Sequence, residues 1–300
     1  MRKKIILILI VFVVLSLLAW WLSINFSQHH SRTNELGNRL AEYFYYTNTD
    51  AASELHLNSE RARNARNKNP ELRDFYNKLD WQRRRVIEYK SDPDSAWNQI
   101  DHSNAEKPSY LQFWQTLRPI VQETYYATLP PLTVPHPVVH FRCSDVPFKK
   151  YAYYYLSKVS TVKWMAQKIK ERGFTKVTML GCNKHRQLAQ KVACHEYIDF
   201  YAQTLKDSGL DVELQCNSIL QDFSMMVYSP LLVSLNTSSF SFMAGVSKNP
   251  QDYISCNMGV EFNGKFILQT QADWLLDNEQ PLLHQEVSDY NHVDDVIKKL

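Results

Sequence analysis

The chain has 300 residues, 44% hydrophobic and 22% charged, with a formal net charge of +3. That length admits one large domain or two smaller ones, and the balance suits a cored globular protein rather than a disordered chain. The charge is too small to argue for a nucleic-acid partner, and no zinc-finger, RNA-motif or Walker signature accompanies it.

The N-terminus carries the clearest physical signal. Arg2, Lys3 and Lys4 precede "IILILIVFVVLSLLAWWL", in which no residue from Ile5 to Leu22 is charged. As a helix this run spans roughly 27 Å, enough for a bilayer core. Trp20 and Trp21 suit the far interface and the three cations suit the cytoplasmic side. No small-x-small cleavage pattern follows the run, so residues 1–24 are expected to be an uncleaved signal anchor and not a signal peptide. The rest of the chain is then expected in a lumen or periplasm.

From Leu36 onward "ELGNRLAEYF" places Leu36, Leu40, Tyr43 and Phe44 at helical spacing. The charge-rich stretch Arg61 to Lys90 reads as a solvated helical surface. Asp92 and Asp94, in "SDPDS", read as a proline-containing turn. "KPSYLQFWQTLRPIVQETYYATL" is a further amphipathic helix ending before Pro130. Residues 25–134 are therefore expected to be mostly helical.

After Pro130 the pattern changes. "PVVHF" is short enough for a strand, and "YYYLSKVSTVKWMAQKIKERG" reads as a helix closed by Gly173. "KVTMLGC", a helix closed by Gly209, "DVELQC", a helix in "ILQDFSMMVYS", the strand "LLVSL" and a helix start in "SSFSFMAG" follow. Strands alternating with helices imply right-handed crossovers and a parallel sheet covered on both faces. Residues 135–300 are expected to hold this Rossmann-like unit and a C-terminal extension. The five cysteines are widely spaced with no CxxC pair, so they read as buried small hydrophobes, with disulfides the lesser expectation.

Ligands of open parallel sheets bind beyond the carboxyl ends of the strands. "VVHF" is one such strand, and "RCSD" follows it, so its polar groups are expected at the rim of a crevice. Arg142 offers a fixed fork of donors suited to phosphate. In "LNTSSFSFMAG", Ser238 and Ser239 lie where a strand meets a helix, and a helix N-terminus is a ready anion site. Simple N-capping by Thr237 or Ser238 is the plainer reading of that stretch. Two sequons occur, at Asn25 and Asn236; the second lies inside this motif and is not expected to carry a glycan. There is no GxGxxG and no GxxxxGK[ST], and the D-x-D spacing of Asp92 and Asp94 is better explained by the proline-containing turn.

"HFRCSD" resembles the H-x-R-R-x-D motif of the GDP-fucose-dependent fucosyltransferases (the α1,2-, α1,6- and protein O-fucosyltransferase types). "DFSMMVYSPLLVSLNTSSFSFMAG" is similar to the α1,2 group's D-F-x-x-M followed by N-S-S-F-S-W-W-A. "ELGNRLAEYF" resembles that group's G-L-G-N-Q-x-x-Q-Y. The blocks occur in the family's order.

The resemblance implies an α/β enzyme of the GT-B type, with two Rossmann-like lobes behind one transmembrane helix. It implies an inverting glycosyltransferase that moves fucose from GDP-fucose to a glycan or glycoconjugate hydroxyl, with no metal or other cofactor. Residues 25–134 become the acceptor-side lobe and 135–300 the donor lobe. His140, Asn183, Asp222, Ser238, Ser239 and Phe240 fall on donor-binding positions, and Asn38 meets the donor from the N-terminal side. Arg142 contacts the β-phosphate, and Asp145 either assists as a base or orients Arg142. The implied location is a type II protein of the Golgi membrane in a eukaryote, or of the inner membrane in a bacterium. The departures are Cys143 for the second arginine, Cys182-Asn183 for an S/T-D pair, Glu35 for a glycine, and no paired tryptophans. They leave open another nucleotide sugar, or an inactive glycan-binding relative.

Overall fold

Strand β1 (Val138–Phe141) buries all of its side chains, the mark of a strand covered on both faces. The computed structural model describes Leu36, Gly37, Leu40, Tyr43 and Phe44, then residues 70–99, 110–143, 146, 155–182, 188–236 and 238–255, and the short segments 259–262, 265–268, 282–283 and 297–298. Before β1 come α1 (Pro70–Ser91) and α2 (Tyr110–Thr128). After it come β2 (Tyr155–Leu156), α3 (Val159–Glu171), β3 (Lys176–Gly181), α4 (Leu188–Asp207), β4 (Asp211–Gln215), α5 (Ile219–Tyr228), β5 (Leu232–Ser234), α6 (Ser239–Val246) and β6 (Tyr253–Ser255). A hairpin of β7 (Gly259–Phe262) and β8 (Lys265–Leu268) follows, and β9 (Leu282–Leu283) pairs back onto β2.

The central sheet has five strands in the order β4-β3-β1-β5-β6, all pairs parallel. The chain winds outward from β1 to one edge, returns beside β1 at β5, and winds to the other edge. This is the Rossmann-like strand order, and its topological switch lies between β1 and β5. The expected alternation of helices and strands is thus present. Gly173 and Gly209 follow α3 and α4 with φ of 82° and 86°, so each occupies the left-handed conformation that ends a helix cheaply only in glycine. Two expectations shift. Tyr155 and Leu156 are strand, because they pair with Leu283 and Leu282, so the helix expected over them starts later. Strand β6 extends the sheet past the expected end.

Side-chain alternation divides the core into two layers. Val139, Phe141, Val177, Met179 and Val233 face α3 and α4, whose Met165, Ile169, Tyr197 and Tyr201 complete that layer. Val138, Leu180 and Leu232 face the opposite layer, built by α5, α6, α2, α1 and the helical positions Leu36, Leu40, Tyr43 and Phe44. The N-terminal helices therefore share a core with the sheet. Among the described residues there is one Rossmann-like sheet, and the apolar faces of α1 and α2 close onto it.

The exposed face of α1 is laced by ion pairs, Lys78–Asp74 at 2.9 Å, Arg84–Glu88 at 2.8 Å and Arg85–Glu123 at 2.6 Å, as a solvated surface should be. Asp92 and Asp94 sit in a turn, with the Asp94 N–H donating to Asp92 Oδ1 at 3.0 Å. The apolar run from Ile5 to Leu22 lies outside the described residues, and no described helix is long and apolar enough to cross a membrane.

The cysteines correct the sequence reading. Cys143 is bonded to Cys194, and Cys182 to Cys216. Four of the five are therefore cross-links, not free buried thiols; Cys256 lies outside the described residues. Wide spacing does not show this, because the sheet topology is what brings the end of β1 beside α4 and the ends of β3 and β4 together.

Candidate functional site at the carboxyl edge of the sheet

At the switch point two chain segments leave the sheet together. Residue 140 shares its sheet face with residue 138, so His140 points into the layer of α5 and α6. Its ring lies 5.7 Å from that of Phe240, which lies 5.4 Å from Phe223. His140 is only 7% exposed, and its Nδ1 has no hydrogen-bond partner. Burial, reinforced by the Arg142 charge, holds its pKa down at about 3. It is therefore a neutral imidazole near pH 7, enclosed and not at an open rim. Phe240 of α6 lies against the ring, a contact that a strand-end argument alone does not place.

Arg142 follows β1 and is half-buried. Its main-chain N–H donates to Asn236 Oδ1 at 2.9 Å, and Asn236 Nδ2 donates to its carbonyl at 2.9 Å. Asn236 has no exposed surface, and its amide is committed to Arg142, so the folded chain presents no glycan acceptor at that sequon. Ser238 is the N-cap of α6, its Oγ accepting from the Ser241 N–H at 3.4 Å. The plain N-cap reading therefore holds for Ser238. Ser239 opens the helix, and its buried Oγ has no partner.

Buried polar atoms are almost always paired, so an orphan on the ring beside Phe240 and another on the first residue of α6 require an account. The unsatisfied N–H groups and dipole of α6 favour an anion, and both Ser239 and neutral His140 have hydrogen-bonding capacity to offer one. Gly37 closes this site from the N-terminal side. A β-carbon there would overlap the Ser239 carbonyl and the Phe240 N–H, so only glycine lets the two backbones approach.

Asp222 lies in the first turn of α5, buried at the end of β4. Its Oδ1 accepts from Asn217 Nδ2 at 3.0 Å and from the Asn217 N–H at 3.2 Å, and its Oδ2 lies 3.7 Å from Cys182 Sγ. Both disulfides belong to this same edge. Cys143 directly follows Arg142, and Cys182 directly follows β3.

The structure thus brings together His140, Arg142, Ser238, Ser239 and Phe240 at the switch point, with Asp222 further along the same edge. Asn38, Asp145 and Asn183 lie outside the described residues. Sequence reasoning missed Asn236 as a partner of Arg142, and no local signal links residues 94 positions apart. Among the described residues no group of three or more His, Cys, Asp or Glu side chains is placed to hold a metal ion. No family model matches the chain, and no curated protein or solved structure matches it.

Proposed function

We propose that the chain is a membrane-anchored inverting glycosyltransferase that transfers a sugar, fucose in the first instance, from a GDP-sugar to a glycan or glycoconjugate hydroxyl. The observation that carries this reading is the pair of unpartnered buried atoms, His140 Nδ1 and Ser239 Oγ, beside the α6 N-terminus and Arg142. A diphosphate fits that set: a fixed guanidinium, a hydroxyl and helix-end N–H groups. The buried carboxylate of Asp222 is suited to the donor edge of a guanine, whose N–H groups need an acceptor. The three sequence blocks that resemble those of GDP-fucose enzymes support the nucleotide and the sugar.

In this reading the bond between the anomeric carbon and the β-phosphate oxygen breaks with its electron pair leaving on GDP. Arg142 and the α6 donors stabilise that charge. The acceptor oxygen forms its bond on the opposite face of the carbon, inverting it, and its proton passes to a carboxylate, for which Asp145 is proposed. The N-terminal helical segment packs on the start of α6 through Gly37, and Asn38 is proposed to meet the donor from that side. The two disulfides support an oxidising compartment, as on the lumenal side of a Golgi anchor or the periplasmic side of a bacterial one.

One observation favours a second reading. The residues standing where the family has its second arginine and its S/T are cross-linked cysteines, which supply neither charge nor hydroxyl. A relative that uses another nucleotide sugar, or only binds glycans, meets that condition.

Full-length chain in detergent, with EDTA present, tests the proposal. GDP-fucose turnover is expected, and GDP is expected to raise the melting temperature where UDP does not. Arg142→Ala should lower turnover by roughly 10²–10³-fold. Stabilisation by UDP alone would move the assignment to another donor, and near-normal turnover in Arg142→Ala would remove the role given to that residue.

A further inference from the structure

We propose that Asn236 is a positioning residue that locks Arg142 to the turn leading into α6, so that the guanidinium and the helix-end donors act as one anion site. The inference rests on the anion-site reading above and assigns a residue that reading does not need.

The regular ladder between β1 and β5 ends at the pair His140–Ser234, closed by the Leu235 N–H donating to the His140 carbonyl at 2.9 Å. Beyond it β5 turns toward α6. The main-chain N–H and carbonyl of Arg142 would lose their partner strand there. The Asn236 side chain replaces it, accepting from the N–H and donating to the carbonyl, both at 2.9 Å. A primary amide has the donor and acceptor of a peptide group, so it imitates one more rung of sheet. Aspartate lacks the donor and serine lacks the reach. The Asn236 carbonyl is itself held by Ser234 Oγ at 3.2 Å.

The fully buried Asn236 stands in the sequence next to Leu235 of one core layer. A hydrophobic residue would pack there, but it would leave two main-chain groups of Arg142 without partners. Ser238, the cap of α6, follows Asn236 by two positions. Arg142 therefore takes its position from the same turn that positions the helix N-terminus. Arg142 and α6 are distant in sequence, and this side chain bonds directly between their segments.

A binding cycle tests the proposal. GDP affinity and urea stability are measured on detergent-solubilised full-length wild type, Asn236→Ala, Arg142→Ala and the double variant. Asn236→Ala should weaken GDP binding by about tenfold in the wild-type background. In the Arg142→Ala background the same change should alter affinity by less than about twofold, while lowering stability equally in both. Equal losses of affinity in both backgrounds, or none in wild type, would overturn the proposal. Should Asn236→Ala not fold, Asn236→Asp keeps the volume and the bond from the Arg142 N–H and enters the same cycle. If wild type does not bind GDP, the cycle is run with inorganic pyrophosphate. Coupling there keeps the role of Asn236 and removes the guanine-nucleotide reading, and no binding of either probe removes both.

Discussion

Replacing His140 by phenylalanine should make the protein less sensitive to acid. In the folded chain burial and Arg142 keep the imidazole neutral down to about pH 3, whereas an exposed histidine takes its proton near its ordinary value of 6.5. Between those limits the unfolded chain binds one more proton than the folded chain at this residue. The stability contribution is complete above about pH 6.5 and is lost progressively as pH falls toward about 3. The slope approaches about 1.4 kcal/mol per pH unit once the unfolded histidine is protonated, or about 2 kcal/mol lost between pH 6.5 and 4.5 from this one residue. Phenylalanine keeps an aromatic ring against Phe240 and removes both the titration and the orphaned Nδ1. Carboxylates titrate in the same range, so the informative quantity is the difference between wild type and His140→Phe. Urea unfolding of the full-length chain, followed by circular dichroism at several pH values from 4.5 to 7.5, supplies it. The two curves should converge or cross as pH falls. Parallel curves would refute the enclosure of a neutral imidazole at the end of β1.

Two further changes probe the same edge. Gly37→Ala forces a methyl group into the Ser239 and Phe240 backbone and should cost about 1–3 kcal/mol in urea unfolding, with a matching loss of GDP-induced stabilisation; an unchanged midpoint would show that the close approach is absent. The Cys143–Cys194 bond closes a loop with a separation of 51 residues, so the chain-entropy argument assigns it about 4 kcal/mol. Cys143→Ser with Cys194→Ser should show that loss under oxidising conditions and little difference from wild type after reduction. Thiol titration of the unreduced, denatured wild type should find at most one free thiol among the five cysteines.

Most of the sheet was legible because its elements obey local rules. The helix ends at Gly173 and Gly209 announce themselves, and the apolar runs of β1, β3 and β5 are short, branched and followed by polar clusters. The location of the candidate site followed from general topology once a parallel sheet was inferred. What was not legible depends on distant partners. Tyr155 and Leu156 are strand only because Leu282 and Leu283 lie beside them. Tyr253 to Ser255 is too short to stand out, and joins the sheet because Leu232 to Ser234 offers an edge. Disulfide pairing and the Asn236 clasp likewise require the fold before they can be seen. The enclosure of His140 was missed for a related reason: an amphipathic helix seen in a sequence does not state which face of which sheet it will cover.

The seat of Gly37 also bears on how the protein is made. Leu36, Leu40, Tyr43 and Phe44 are among the first of the described residues to be synthesised, yet their helix rests on α6, about 200 residues later. Tyr43 and Phe44 meet α1 and α2 sooner, but at ordinary translation speeds the side of the stripe that seats on α6 waits roughly 10–40 s for it. During that interval it is exposed surface that a chaperone or a neighbouring chain can take, so conditions that slow synthesis should reduce yield more than they reduce the stability of the finished protein.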